Sequence, residues 1–164
     1  MDKRSIACVL TLLLAACGGA GGGENATARV GAVAPDWSDP LLSGGTLSMA
    51  QLRGKPLLLD FFATWCPPCN AEAPMINAAY ETYKSRGLHV VGVDVQENAA
   101  KAHEFVTKHG LRYPALVDAG TLLDQYQING MPVAVFIDKS GVVKKIDVGE
   151  LTQQRLDADI TAIL

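Results

Sequence analysis

Little positive charge is gathered in any one place in this sequence, cysteines are few and long apolar runs are missing. Each shortage removes a class of function. The 14 lysines and arginines are scattered among 17 aspartates and glutamates, for a net charge of −3. With no basic face to hold a phosphate backbone, nucleic-acid binding drops out. The apolar run from Ile6 to Ala16 falls well short of the roughly 20 residues that cross a bilayer, so a permanent transmembrane helix is not expected. Of the four cysteines only Cys66 and Cys69 are near neighbours, and no second pair completes a zinc site. His103 and His109 fall on different sides of the helix predicted there, so neither a metal nor another cofactor is expected. A chain of 164 residues has room for one domain with a proper core, which must carry the whole activity.

What is present begins with Lys3 and Arg4 ahead of the Ile6 to Ala16 run, the pattern of a signal peptide over residues 1–16. Leu14-Ala15-Ala16-Cys17 resembles the bacterial lipobox, in which the cysteine becomes the lipid-modified first residue of the mature protein. The alternative is an ordinary secretory signal cut near the same small residues. Residues 17–29 are rich in Gly and Ala and read as a flexible tether between a lipid on Cys17 and a folded domain at 30–164. With Cys8 discarded and Cys17 lipidated, Cys66 and Cys69 remain alone. In an oxidising compartment, a lone close pair fits a reactive switch better than a structural staple.

From Val30 to Leu52, short apolar pieces broken by Pro35, Pro40 and Gly44-Gly45 predict a small β-hairpin region. Leu57 to Phe62 predicts a central strand, Pro67 to Arg86 a helix stopped by Gly87, and Leu88 to Val95 a second buried strand. Ala99 to His109 predicts a helix stopped by Gly110, and Leu122 to Tyr126 a weaker helical piece. Val133 to Ile137 and Val142 to Val148 read as strands joined through the Asp138-Lys139-Ser140-Gly141 turn, before a last helix capped by Thr152. This order implies an α/β fold: a mixed central sheet with helices on both faces and a β-hairpin extension at the N-terminus.

Two cysteines separated by two residues at a helix start can close a small ring. The unpaired N–H groups of the first turn offer positive potential to the exposed sulfur. That lowers the Cys66 pKa below the free value of about 8.5 and makes it the nucleophile toward a partner's disulfide, with Cys69 resolving the mixed disulfide from the same turn. Pro67 fits the first helical turn, where its missing N–H costs nothing.

The element order and the segments Ala34-Pro35-Asp36, Leu52-Arg53-Gly54-Lys55-Pro56, Phe61 to Cys69, Glu72, Pro74 and Gly130-Met131-Pro132 resemble the thioredoxin superfamily. The closer likeness is to its exported, membrane-tethered thiol reductases of the TlpA and ResA type. The resemblance implies a disulfide reductase without cofactor, acting as a monomer outside the cytoplasm. It implies partners too: disulfide-containing exported proteins, among them the apocytochrome c cysteines that must be thiols before haem attachment, and a membrane thiol donor upstream. Pro132 matches the superfamily's cis-proline, which leaves the Met131 backbone free to pair with an extended substrate segment. Trp65 is expected to pack beside the cysteines as a lid that also meets substrate. Asp60 matches a buried acid that takes the proton of Cys69, and Glu72 an acid that modulates the thiols; the bland alternatives are a water-facing Asp60 and a solvated Glu72.

Two other chemistries stay open: an oxidase or isomerase that donates disulfides, and a peroxiredoxin-like antioxidant. The latter requires Pro-x-x-x-Thr-x-x-Cys, and Thr64 stands two residues before Cys66 instead.

Overall fold

A computed structural model describes residues 26–164. The predicted signal peptide and Cys17 lie outside the described residues. Strands β1 (Ser38–Pro40) and β2 (Thr46–Ser48) form the small antiparallel hairpin, followed by a single turn of helix, α1 (Met49–Leu52). The body is built from β3 (Leu57–Phe62), α2 (Pro67–Tyr83), β4 (His89–Asp94), α3 (Ala99–His109), β5 (Ala115–Val117), α4 (Thr121–Gln125), β6 (Val133–Ile137), β7 (Val143–Val148) and α5 (Gln153–Ile163).

The five-stranded sheet runs β5-β4-β3-β6-β7. β3, β4 and β5 are mutually parallel, while β6 is antiparallel to both β3 and β7, so the sheet is mixed as expected. Steps from β3 to β4 to β5 go in one direction, and right-handed crossovers therefore place α2 and α3 on the same face. α5 returns to that face, packing Leu156, Ile160 and Ile163 with Leu58, Ile76 and Phe136. The other face is covered by α1, α4 and the N-terminal segment, with Trp37, Met49, Leu52, Leu122 and Tyr126 against Leu57, Leu59 and Phe61. Every side chain of β3 is buried, which is why its sequence reads as a continuous apolar run rather than an alternation.

Local chemistry ends the elements where the sequence places its stops. Gly87 (φ +97°) and Gly110 (φ +57°) take the left-handed conformation at the two helix ends, and Asn98 caps α3 by accepting from the N–H groups of Ala100 and Lys101. Strand β5 and helix α1 were not anticipated; at three and four residues, neither is long enough to display a period.

One boundary also moves. Packing begins before Val30, because Ala28 is buried and its N–H donates to the Gln125 carbonyl at 2.8 Å. The last residues of the 17–29 segment are docked rather than free. The segment then continues along the start of β7, where Gly31 donates to the Val143 carbonyl and Val143 to that of Ala32.

Candidate active site

The centre of the sheet delivers the cysteines. β3 ends at Phe62, a short link of Ala63, Thr64 and Trp65 follows, and Cys66 is the N-cap of α2. Pro67 and Pro68 occupy the first two helical positions and have no N–H to offer. The first free amide of the helix is therefore that of Cys69, and it donates to Cys66 Sγ at 3.2 Å. The Cys66–Cys69 pair is present as a disulfide with a Cα–Cα separation of 5.3 Å, inside the range such a bond requires.

The two sulfurs face different surroundings. Cys66 lines a cavity of about 470 Å³ together with Trp65, Pro68, Val95, Ile128 and Met131, whereas Cys69 does not reach it. Both cysteines are buried, each 3% exposed, and pack in one cluster with Phe62, Ala73 and Phe105; what separates them is that Cys66 also lines the cavity. A Cys66 that meets the cavity and a Cys69 that does not are what a nucleophile and a resolver require. The Met131–Pro132 bond is cis, and Gly130 and Met131 form one wall of the cavity. Trp65, 57% exposed, lines the same cavity as Cys66.

Both carboxyl groups singled out in the sequence lie inside. Asp60 shares its face of β3 with Leu58 and Phe62, by strand alternation, and so faces α2. It is 6% exposed and accepts a hydrogen bond from the Tyr113 hydroxyl at 3.0 Å. Burial raises its pKa to about 6, with the Tyr113 bond opposing the rise. Glu72, on α2, is 5% exposed, and its Oε1 accepts from the Leu151 N–H at 2.6 Å. Burial lifts it to about 7; the Leu151 bond opposes this, and the charges of Asp60 and Glu150 add to it. The water-facing reading of Asp60 and the solvated reading of Glu72 are both excluded.

Sequence reasoning missed three residues around this centre. Tyr113 is the partner of Asp60. Asn70 donates through Nδ2 to the carbonyls of Thr64 (3.0 Å) and Cys66 (2.9 Å). Glu97 accepts both the N–H and the hydroxyl of Thr64, each at 2.5 Å. Glu97 and Tyr113 lie 31 and 47 residues from Cys66, where no local spacing rule reaches them. Asn70 sits beside Cys69 but looks like any polar helix residue. Among the described residues, no three His, Cys, Asp or Glu side chains come together as a metal site.

Comparison with known proteins agrees with this geometry. The profile of the AhpC/TSA family matches residues 30–146. The chain belongs to that family. It is 33% identical to the thiol-disulfide oxidoreductase ResA of Geobacillus kaustophilus over 85% of this chain and 81% of the relative. It is 34% identical to the ResA of Oceanobacillus iheyensis over 85% of this chain and 76% of that one. Among solved structures, a thiol:disulfide interchange protein of the thioredoxin family from Chlorobium tepidum superimposes with a TM-score of 0.75 at 32% identity, covering 84% of this chain and 99% of that chain. A disulfide oxidoreductase of Mycobacterium tuberculosis, described as secreted and homologous to DsbE, gives a TM-score of 0.71 at 28% identity, covering 77% of this chain and 95% of that chain. Within its family the chain is thus a thioredoxin-like thiol–disulfide oxidoreductase of the ResA and DsbE type, with Cys66 and Cys69 as its CXXC pair.

Proposed function

We propose that this oxidoreductase works as a reductase of disulfides in exported proteins, held at an extracytoplasmic membrane surface by a lipid on Cys17. The observation that carries the reading is the asymmetry of the pair: Cys66 lines the cavity and receives the one free helix amide, while Cys69, equally buried, does not reach the cavity. In the reduced protein, the Cys66 thiolate attacks a client disulfide, forming a Cys66–client bond and releasing one client thiolate. Cys69 gives its proton to Asp60, which is ionised at neutral pH with a pKa of about 6. The Cys69 thiolate then attacks Cys66 Sγ, the second client thiolate leaves, and the intramolecular disulfide remains. A dithiol donor in the membrane returns it to the reduced state. Trp65 and Met131 bear on the client chain at the cavity rim. By resemblance the clients include apocytochrome c, whose two haem-binding cysteines present such a disulfide.

Direction follows from charge. Pro67 and Pro68 bring no positive group between the cysteines, and the carboxyl groups of Asp60 and Glu72 disfavour a nearby thiolate. Both effects favour the disulfide over the dithiol, and a pair that prefers to be a disulfide is a reductant. Cys69→Ser in the native host tests the assignment. It is expected to accumulate mixed disulfides with exported proteins through Cys66, because attack survives and resolution does not. Trapping by Cys66→Ser instead would reverse the roles.

A further inference from the structure

Asp94, the last residue of β4, is fully buried beside Phe62 in the sheet register, and the mechanism above makes no use of it. Neither of its carboxyl oxygens accepts a hydrogen bond, and the group facing it is Glu97, in the loop between β4 and α3, to which the protonated Asp94 carboxyl donates. Burial first, then the charge of Glu97 and the hydrogen bond to it, push Asp94 to about 8, so that it holds its proton at neutral pH and backs Glu97 as a neutral donor. Glu97 takes the N–H of Thr64 on one oxygen and its hydroxyl on the other, while Asp94 supports it from behind. The Thr64 carbonyl is taken from the other side by Asn70, which also holds the Cys66 carbonyl. Asn70 Oδ1 in turn accepts from Lys108 Nζ at 2.7 Å and meets His109 Nε2 at 3.0 Å, at the end of α3. Each polar group of Thr64 is therefore fixed, two residues ahead of the nucleophile.

We propose that Glu97 is a positioning residue for the cysteine pair: by clamping Thr64 it holds Cys66 within bonding reach of Cys69 and stabilises the disulfide relative to the dithiol. The disulfide requires the link before Cys66 to be in one place; the dithiol does not. A clamp on the link therefore favours the oxidised form, and the negative charge of Glu97 acts in the same direction by disfavouring thiolate. The inference rests on Cys66 and Cys69 working as a redox couple.

The test is equilibration of the full-length protein with glutathione at defined ratios. In that reaction the Cys66–Cys69 bond breaks, two glutathione thiols join as a disulfide, and their two protons end on the cysteines. Glu97→Ala is expected to move the equilibrium toward the dithiol by about tenfold, the scale of one hydrogen bond to a charged group. Glu97→Gln keeps an acceptor for Thr64 without the charge and should stay within about threefold of wild type. Urea unfolding of both redox forms separates positioning from plain structural support: the clamp requires the oxidised form of Glu97→Ala to lose more stability than the reduced form. Equal losses, with an unchanged equilibrium, would overturn the clamp while leaving the couple intact. A wild-type pair that does not exchange with glutathione would overturn the couple and the clamp with it. Should Glu97→Ala not fold, Thr64→Val removes one of the two bonds to Glu97; a shift of about threefold toward the dithiol is expected, and no shift overturns the proposal.

Discussion

The two faces of strand β3 are built from the same short run of sequence and do different work. On one, Leu57, Leu59 and Phe61 join a continuous apolar cluster beneath α1, α4 and the N-terminal segment. On the other, Leu58 and Phe62 belong to separate clusters, and Asp60 stands between them in the sequence of the strand. The first face is built for stability. The second gives up a core position to a carboxyl group and so provides a titratable site beneath the active-site helix. The protein sets the buried carboxyl groups of Asp60 and Glu72 on one side of a single central strand, and substitutions within the strand on its two sides should separate activity from stability.

The largest contrast is expected between Cys66→Ser and Leu59→Ala. The first should abolish disulfide exchange with little change in unfolding midpoint of the reduced protein. The second should cost about 2–5 kcal/mol by leaving a cavity, while the activity of each folded molecule is retained. Urea denaturation beside an insulin-reduction assay reads both. Loss of activity in folded Leu59→Ala protein would show that the faces are not separable.

Asp60→Asn should behave as a hybrid. Resolution should slow by about 10²-fold at neutral pH, with the initial attack by Cys66 much less affected, as stopped-flow thiol kinetics would show. Its stability should also lose a pH dependence. The Asp60 pKa is raised from 3.8 to about 6 in the folded state, so the native protein holds this proton more tightly than the unfolded chain does. That contribution is complete below pH 3.8 and is lost as pH rises through about 6. Wild type should therefore lose stability across this window by something on the order of 3 kcal/mol more than Asp60→Asn does. Identical pH profiles for the two proteins would mean that Asp60 is not buried as described.

The run Leu57 to Phe62, the CXXC pair, the helix stops and the Asp138 turn were legible because their signals are local: apolar density, spacing, and residues suited to special backbone angles. Asp60 was legible by resemblance as a buried acid, and it is buried; Glu72 was legible only as an acid near the thiols, since a polar residue in the first turns of a helix reads as solvated until the packing of the Leu151 segment over it is known. Tyr113, Glu97 and Asn70 stayed hidden for another reason. What they do depends on which loops the sheet brings to the end of β3, and that is a property of strand order. How much of Trp65 is exposed was likewise not legible, because it depends on how far the Gly130–Met131 wall stands from it across the cavity.

A smaller effect should follow at that rim. Trp65→Ala should raise KM for protein clients several-fold, with little change in kcat and none in unfolding midpoint, because the indole is largely solvated in the free protein. A fall in kcat alone would place Trp65 in the chemistry of the pair instead.

The reductase reading depends most directly on the potential of the Cys66–Cys69 couple, measured in the full-length protein against glutathione or dithiothreitol buffers at pH 7. A value nearer the about −270 mV of thioredoxin than the about −120 mV of DsbA is the expected result, since no positive group stands between the cysteines and two carboxyl groups lie on the same face. A value close to that of DsbA, with faster oxidation of reduced clients than reduction of oxidised ones, would contradict it.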